Sequence, residues 1–300
     1  MLKTVSIGIP ALNEEANIKA LLNSILSQKG DFELKEIIIF SDCSTDNTVK
    51  FAKEINDARI KIIENNVRVG QAEGQNQIVK AVTGDYLILL NADVLLGDDT
   101  FIDKIIQPFL VNKKVGIVAP RIKPLQAETF FEKIINFSAD LKQDMFISWN
   151  KGNNIYMCCG RARAFSKDCI SHIVWPTSSS EDAYSYLVCL EKGFDFVYID
   201  DAFVLYRSPE NFNDHVKQST RFMSGEKVMS KYFPESFVND QYKIPFKITL
   251  KSAVKYFFKN PILFLLYFVV VVFCKIQSIF KKNTTSLWAV SASSKNLIRK

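Results

Sequence analysis

Apolar strand-like segments alternate with amphipathic helix-like segments throughout residues 1–120, and no other feature limits the fold as strongly. The strand-like segments are Thr4–Pro10, Lys35–Ser41, Arg59–Glu64, Asp85–Leu90 and Val115–Pro120. The helix-like segments between them are Glu14–Gln28, Thr45–Ile55, Ala72–Val82 and Thr100–Val111. Because strands that are apolar on both faces need helices on both sides, the pattern predicts right-handed βαβ units around a mostly parallel sheet.

The regular alternation of strand-like and helix-like segments ends after residue 120, where the pattern becomes mixed α/β. Helical spacing is found in Glu128–Trp149, Ser180–Lys192 and Asn211–Lys231. Strand-like segments are Asn154–Phe165 and Phe194–Tyr206. Since neither an internal repeat nor a long low-complexity linker separates residues 1–120 from 121–240, we predict that the two halves share one sheet.

Charge is distributed unevenly along the chain. All 32 acidic residues lie at or before Asp240, so residues 1–240 hold 27 basic against 32 acidic side chains, and residues 241–300 hold 11 basic ones. An acidic body argues against nucleic-acid binding, and the basic tail points to an anionic surface. The six cysteines show no CxxC spacing and no signal peptide precedes the first strand, which favours a cytoplasmic location for residues 1–240.

The C-terminal region combines a basic helix with an apolar run. Lysines recur every fourth residue from Lys247 to Lys259, beside Tyr256–Phe258, as in amphipathic helices that bind anionic lipid headgroups. Ile262–Cys274 is an unbroken apolar run of 13 residues. As a helix it covers roughly 20 Å, short of the ~30 Å hydrocarbon core. Residues 241–300 are therefore predicted to attach to a membrane, by an interfacial or a spanning helix; a buried core helix is the alternative.

Polar clusters follow three of the predicted strands. They are Pro10–Glu15, Ser41–Thr48 and Asn91–Asp93. Helix capping could account for any one of them. However, ligands of open parallel sheets bind outside the carboxyl ends of the strands, so three clusters on one rim indicate a binding site.

The type of site follows partly from missing motifs. The segment after the first strand, GIPALNEE, has neither GxGxxG nor a phosphate-binding P-loop. A bound nucleotide would then be held by carboxylates and a metal. Asp93 ends an apolar strand, where an uncompensated carboxylate is costly, and Mg²⁺ or Mn²⁺ there would neutralise it and bridge a diphosphate.

Over roughly residues 4–225 the chain resembles the inverting, nucleotide-sugar-dependent glycosyltransferases of family 2. The resemblance is carried by the order of IPALNEE, SDCSTDNT (similar to DDGSxDxT), RVGQAEGQN, GDYLILLNADV, SSSEDAYSYL and QSTRF. It implies an α/β fold of the GT-A type, a mostly parallel sheet flanked by helices, followed by the membrane-associated helical segment. Residues 1–240 would be the catalytic domain, with a nucleotide-binding half at 1–120 and an acceptor half at 121–240.

The resemblance assigns the donor side. It implies that three residues of the first loop, together with Arg68, bind the nucleotide sugar. Asp42 would contact the edge of the base, usually uracil. Asn91, Ala92 and Asp93 match the DxD segment, with Asp93 as the metal ligand. Two aspartates of the family pattern are replaced, by Ser41 and Asn91. The three first-loop residues are Pro10, Asn13 and Glu14.

The acceptor side is assigned in the same way. Asp182 resembles the base that deprotonates the acceptor hydroxyl, with Glu181 as its neighbour. Gly160 and Arg161 lie where the family has an acceptor loop, and Arg161 or Arg163 could contact a phosphate on the acceptor.

The segment Gln218-Ser-Thr-Arg221-Phe222 resembles QxxRW, with Phe in place of Trp. Helical spacing places Gln218, Arg221 and Phe222 on nearly one side of a helix. Gln218 would contact the nucleotide sugar, Arg221 would neutralise the departing diphosphate, and Phe222 would be an aromatic platform for the acceptor.

Together these assignments imply an inverting transfer of sugar from a nucleotide sugar to a hydroxyl of a lipid-linked or polysaccharide acceptor at the membrane. UDP is the carrier that the resemblance favours, and GDP stays open. A catalytically silent, membrane-anchored nucleotide-sugar-binding protein is the alternative, because the family residues at Ser41, Asn91 and Phe222 are changed. A nucleotidyltransferase would need a Gly-rich, Arg-containing loop after the first strand, which IPALNEE lacks.

Overall fold

A computed structural model describes residues 3–177, 180–223, 225–280 and Leu297, without the side chains of 220–223 and 278–280. The strands are β1 (Lys3–Ala11), β2 (Phe32–Asp42), β3 (Ile60–Asn65), β4 (Tyr86–Leu90), β5 (Leu95–Leu96), β6 (Val115–Pro124), β7 (Ala162–Ser166) and β8 (Asp195–Tyr206). They form one sheet in the order β3-β2-β1-β4-β7-β6-β8-β5. The predicted sharing of one sheet by the two halves is confirmed.

Twelve α-helices are found in the described part of the chain. The first six are α1 (Ile18–Leu26), α2 (Thr48–Lys53), α3 (Gln71–Ala81), α4 (Phe101–Val111), α5 (Phe130–Ser148) and α6 (Lys167–Ile170). The others are α7 (Glu181–Glu191), α8 (Phe212–Met223), α9 (Gly225–Met229), α10 (Glu235–Tyr242), α11 (Phe246–Lys259) and α12 (Pro261–Phe280).

The sheet is covered on both faces, as its apolar strands require. Ile37 and Ile39 of β2 pack into a core with α1, α2 and α4 on one face. Ile38 and Phe40 alternate onto the opposite face, in a second core to which α3, α6 and α7 contribute. The period-two alternation of a strand therefore feeds two separate cores.

Parallel and antiparallel pairings meet in the middle of the sheet. Strands β3, β2, β1 and β4 pair in parallel, as do β6 and β8, whereas β7 runs antiparallel to both β4 and β6. The register pairs Leu90 of β4 with Ala162 of β7. Consequently the chain just after β4 lies beside the chain just before β7, and the backbone N–H of Asn91 donates to the carbonyl of Arg161 at 2.9 Å.

One predicted strand is wrong in its first half. Asn154–Phe165 begins with a 3₁₀ turn over Ile155–Met157 and becomes a strand only at Ala162. The Asn154 side-chain amide donates to the carbonyls of Phe146 and Trp149, and the Tyr156 ring stacks on Phe146. These contacts to the end of α5 hold the segment in a turn, and they depend on tertiary packing rather than on local propensity.

The C-terminal helices pack on α5 as an outer layer. Tyr256 of α11 contacts Phe137 and Leu141 of α5 together with Leu263 and Phe264 of α12. None of the described helices is at once long enough and apolar enough to traverse a bilayer. Of the predicted attachment segment, residues 281–296 and 298–300 lie outside the described residues.

Candidate active site

The loops after β1 and β2 are joined by hydrogen bonds between side chains and backbone. Asn13, with a φ of 54°, accepts a hydrogen bond from the Thr45 N–H at 2.8 Å on its side-chain oxygen. The Glu14 N–H donates to the Thr48 hydroxyl at 2.7 Å. The buried Glu14 carboxylate in turn accepts from the Asn17 amide at 3.0 Å. These predicted nucleotide-binding residues thus also fix the shape of the rim.

Asp42 lies at the end of β2 and is buried. Its two carboxylate oxygens accept the backbone N–H groups of Val69 at 2.7 Å and Gly70 at 2.9 Å. Gly70 has a φ of 89° and precedes the first turn of α3. The contacts place Asp42 against the segment that carries Arg68, which is half-buried, whereas Pro10 lies in β1 opposite Phe40.

The segment Asn91–Asp93 follows β4 on the same edge of the sheet. The Asn91 side-chain oxygen accepts from the Gln71 amide at 3.2 Å, and Ala92 is buried. Asp93 is half-buried and supplies the carboxylate of the segment. Because Gln71 directly follows Gly70, Asn91 and Asp42 are tied to adjacent residues of the same helix start.

Arg161, which the resemblance placed in the acceptor loop, lies near enough to Asp93 to interact with its charge. Its guanidinium stacks on the Tyr206 ring at 4.0 Å from the centroid. Burial lowers the pKa of Arg161, but the neighbouring Cys159, Tyr206 and Asp93 outweigh burial and raise it overall. The pairing of Leu95 with Leu205 explains this proximity, since it brings the end of β8 beside the chain that follows Asp93.

The described residues offer few protein ligands for a divalent cation near the strand ends. In the described part of the chain, no three His, Cys, Asp or Glu side chains are grouped to hold a metal ion. Asp93 alone could supply one carboxylate ligand. This fits a cation such as Mg²⁺, which keeps several waters and binds through one or two carboxylates and the phosphates of a substrate.

Glu181 and Asp182 open α7 and contribute to a cavity of about 140 Å³. Glu181 is buried, whereas Asp182 is half-buried. One Asp182 carboxylate oxygen accepts the N–H of Gly160 at 3.2 Å, and the other accepts the N–H of Ala183 at 2.8 Å. The other lining residues are Ile155, Tyr156, Cys158, Cys159, Ser180, Ala183, Gly225 and Tyr242.

Arg163 supports the start of α7 and does not face the cavity, which corrects the idea that it contacts an acceptor phosphate. The side chain is fully buried. Its guanidinium donates to the Glu181 carbonyl at 3.2 Å and the Ser185 hydroxyl at 2.7 Å. The Trp175 indole N–H reaches the same carbonyl at 2.8 Å. Sequence reasoning missed this role, although an arginine between two alanines of a strand-like segment (ARAFS) is a signal.

The cavity walls were also missed by sequence reasoning. Tyr156 donates its hydroxyl to the Tyr242 carbonyl at 2.8 Å, and the two rings meet edge to face at 5.9 Å. Gly225 allows a close approach, since a Cβ there would lie 3.2 Å from the Tyr242 hydroxyl. No local motif in the sequence joins these three positions.

Gln218, Arg221 and Phe222 all belong to α8. Gln218 is half-buried, and the side chains of Arg221 and Phe222 lie outside the described residues. Their predicted contacts with the diphosphate and the acceptor therefore stay predictions.

Short contacts connect the two sides of the site. The N–H of Asn91 binds the carbonyl of Arg161, and the preceding residue, Gly160, donates its N–H to Asp182. The Asn91–Asp93 segment and the cavity beside Asp182 are therefore neighbours on one edge of the sheet.

Comparison with known proteins agrees with this architecture. Residues 6–174 match the family model described as glycosyl transferase family 2, which is more than half of the chain. The chain belongs to this family, and the resemblance inferred from the motifs is confirmed. It is a glycosyltransferase by family.

Two solved structures show the same fold at low identity. A mannosyltransferase from Pyrobaculum calidifontis, in complex with GDP-Man and Mn²⁺, gives a TM-score of 0.58 at 16% identity over 91% of this chain and 75% of its own. The glucosyl-3-phosphoglycerate synthase of Mycobacterium tuberculosis, with Mn²⁺, UDP and phosphoglyceric acid, gives 0.54 at 16% identity over 76% and 78%.

Similarity in sequence to curated relatives is confined to part of the chain. A poly-beta-1,6-N-acetyl-D-glucosamine synthase of Staphylococcus epidermidis is 32% identical over 122 residues, 40% of this chain. The matched region is 29% of that relative's length. The match shows kinship without fixing the acceptor or the product.

Proposed function

We propose that the protein transfers a sugar, with inversion, from a nucleotide sugar to an acceptor hydroxyl bound in the cavity beside Asp182. The observation that carries the proposal is the placement of this carboxylate in a cavity next to the Asn91–Asp93 segment. A base in the cavity and a diphosphate at the strand ends would lie on either side of the transferred sugar.

The proposed reaction is a single displacement. The acceptor oxygen forms a bond to the anomeric carbon while the bond from that carbon to the diphosphate oxygen breaks. The hydroxyl proton passes to a carboxylate oxygen of Asp182, whose orientation is held by the Gly160 N–H. The backbone carbonyl of the neighbouring Glu181 is held by Arg163 and Trp175.

On the donor side, Asp42 and the rim loops would bind the nucleoside. A divalent cation held by Asp93 would neutralise charge on the diphosphate as the bond breaks. Both solved structures compared above contain Mn²⁺, which supports this proposal. UDP is the proposed carrier because the motif resemblance favours it, and one of these structures was solved with UDP. GDP stays open, since the other contains GDP-Man.

Arg161 is reassigned in this proposal from the acceptor to the diphosphate. Its guanidinium stacks on Tyr206 and interacts with the charge of Asp93. A fork-shaped cation at this place suits phosphate oxygens. Arg161 would therefore assist the leaving group together with Arg221, whose role follows from the motif alone.

The finer proposal for the acceptor is a lipid-linked or saccharide hydroxyl at a membrane surface, with the catalytic domain on the cytoplasmic side. The basic composition of residues 241–300 supports the surface, and the synthase relative supports a saccharide product. Gln218 and Phe222 keep their proposed contacts to donor and acceptor.

Release of nucleotide from a panel of nucleotide sugars, with and without Mn²⁺, tests the proposal directly. A transferase releases nucleotide from one of them in a metal-dependent manner, faster when the acceptor is present. Binding of the nucleotide sugar without turnover, with Asp182→Asn indistinguishable from wild type, would instead identify the catalytically silent binding protein.

A further inference from the structure

The outward sides of α11 and α12 are apolar, although they face solvent. On α11, Phe246 and Phe258 are 76% and 78% exposed, and Leu250, Val254 and Phe257 are exposed between them. On α12, Ile262 is 69% and Val269 64% exposed. Solvent-facing sides of helices in globular proteins are normally polar, so a contiguous surface of this kind marks an interaction site. The further exposed members on α12 are Leu265, Phe268, Val272, Phe273 and Ile276.

The inward sides of both helices are already used. On α11, Ser252 and Tyr256 are buried, and the Tyr256 hydroxyl donates to the Asp140 carbonyl of α5 at 2.9 Å. On α12, Val270 and Cys274 are buried against Val216 of α8. Since 250, 254 and 258 lie two positions from 252 and 256, helical geometry places the apolar row about 200° away from the buried one.

Lysines border this apolar surface. Lys247, Lys251, Lys255 and Lys259 run along α11 at a spacing of four residues, and residues 241–300 contain no acidic side chain. Lys255 pairs with Asp144 of α5, whereas Lys247 and Lys251 are exposed. Apolar side chains bordered by cations match the two layers of an anionic bilayer surface, acyl chains below and phosphates at the edge.

We infer that α11 and α12 form an interfacial docking face, which embeds their outward sides in an anionic lipid surface without spanning it. Spanning would require α12 to abandon its packing on α5 and α8. A second copy of the chain fits less well, because a two-fold interface would bring the same lysine rows together.

The docking face lies close to the acceptor cavity. Tyr242, which lines the cavity, is followed four residues later by Phe246, the first outward side chain of α11. Four residues span at most about 14 Å. The face would therefore hold the cavity near the headgroups, which favours an acceptor that is itself anchored in the lipid; this last step rests on the proposed transferase function.

Co-sedimentation of the full chain with phosphatidylcholine vesicles containing about 30% phosphatidylglycerol tests the docking face. Binding is expected, with an apparent affinity lowered at least about tenfold in Phe246→Ser/Phe258→Ser and again in Lys247→Gln/Lys251→Gln. Matched controls are Phe130→Ser, an exposed phenylalanine outside the face, and Lys113→Gln/Lys114→Gln, which should bind like wild type.

Vesicle binding that is the same in the face variants and wild type would overturn the inference. So would a lipid-free dimer, seen by light scattering, that the Phe variant converts to a monomer. Phe258→Trp and Val269→Trp add a depth measurement with brominated lipids. Shallow bromines should quench both tryptophans, and preferential quenching of Val269→Trp by deep bromines would indicate a spanning helix.

Nucleotide-sugar hydrolysis without vesicles separates this inference from the proposed function. The face variants should hydrolyse the nucleotide sugar like wild type, while their kcat/KM on an acceptor embedded in vesicles falls about tenfold, in proportion to binding. Vesicle binding without any turnover would leave docking intact and reject the transferase; turnover without vesicle binding would do the reverse.

Discussion

The donor rim, formed by Pro10–Glu15, Ser41–Thr48 and Asn91–Asp93, and the acceptor cavity beside Asp182 are built from different kinds of contact. On the rim, side chains such as Asn13 and Asp42 bind the backbone of neighbouring loops, so the loops hold each other in place. Around the cavity, Tyr156 and Tyr242 provide aromatic walls from distant parts of the chain, and Asp182 adds a partly exposed carboxylate to the same cavity.

Because of this difference, the rim contributes mainly to stability and donor binding, and the cavity mainly to the reaction. Removing a buried carboxylate that accepts backbone N–H groups destabilises the fold, because the N–H donors lose their partner. Asp182 also accepts two backbone N–H groups, but it is partly exposed, so these donors lie near water and its replacement costs less stability. The remaining lone pairs of its two oxygens can accept a proton. We therefore expect changes on the donor side of the sheet to affect stability or donor binding, and changes at the cavity to affect turnover.

Asp182→Asn should have the largest effect. Loss of a general base lowers turnover by about 10²–10⁴-fold, or ~3–5 kcal/mol of activation free energy. Nucleotide affinity and the melting temperature should stay close to wild type. Steady-state kinetics and calorimetry check this, with Glu191→Gln at the exposed end of α7 as the control. Full turnover in Asp182→Asn would remove the base from the proposed mechanism.

Substitution of Glu36 tests how much a buried carboxylate stabilises the nucleotide-binding half, residues 1–120. Burial raises the pKa of this carboxyl, but hydrogen bonds from Lys61, Thr83 and Ser6 outweigh burial and bring the pKa to about 2. Because the folded pKa lies below the unfolded one, the stabilisation is complete above about pH 4.5 and disappears as the pH falls towards 2.

Glu36→Gln should lower the free energy of unfolding at neutral pH by up to about 3 kcal/mol and flatten its dependence on pH below 5. Urea unfolding at a series of pH values measures both. Glu33→Gln on the exposed side of the same strand should change neither. An equal acid sensitivity in Glu36→Gln and wild type would show that other carboxylates govern it.

Substitution of Arg161 tests whether its charge acts on the nucleotide sugar or on the acceptor. Arg161→Gln should raise the KM for the nucleotide sugar about 30-fold, or ~2 kcal/mol, as for the loss of a hydrogen bond to a charged group. Arg161→Lys should recover part of the affinity, since it keeps the charge but not the fork. If the KM for the acceptor rises instead, Arg161 belongs to the acceptor side, as the motif first implied.

Cys43 should give the smallest effect. It stands where the family pattern DDGS has glycine, and its φ is 61°. Cys43→Gly should raise the free energy of unfolding by about 1 kcal/mol, because glycine adopts this conformation without strain. Cys43→Ala is the matched control, since it also loses the contact of the thiol to the Asn66 carbonyl at 3.4 Å. A glycine variant less stable than the alanine variant would contradict this explanation.

The strand–helix alternation was sufficient to predict the doubly covered sheet and the rim, because side-chain periodicity is a local property. Pro10–Glu15 and Ser41–Thr48 begin in the last residues of β1 and β2, and Asn91–Asp93 follows β4; these three strands are neighbours in the sheet. Motif order then pointed to family 2 glycosyltransferases, which the family model confirms. Asp42, Asp93 and Asp182 were found in this way, although their roles stay predictions.

Only the tertiary structure decided what each of these side chains contacts. Arg161 and Arg163 are two positions apart, the spacing of one strand face, yet α7 buries Arg163, whereas Arg161 lies just before β7 and stacks on Tyr206. Tyr156 and Tyr242 meet across 86 positions of sequence. The physical reason is that long-range packing, unlike periodicity, depends on how whole elements dock together, and no local pattern along the chain encodes it.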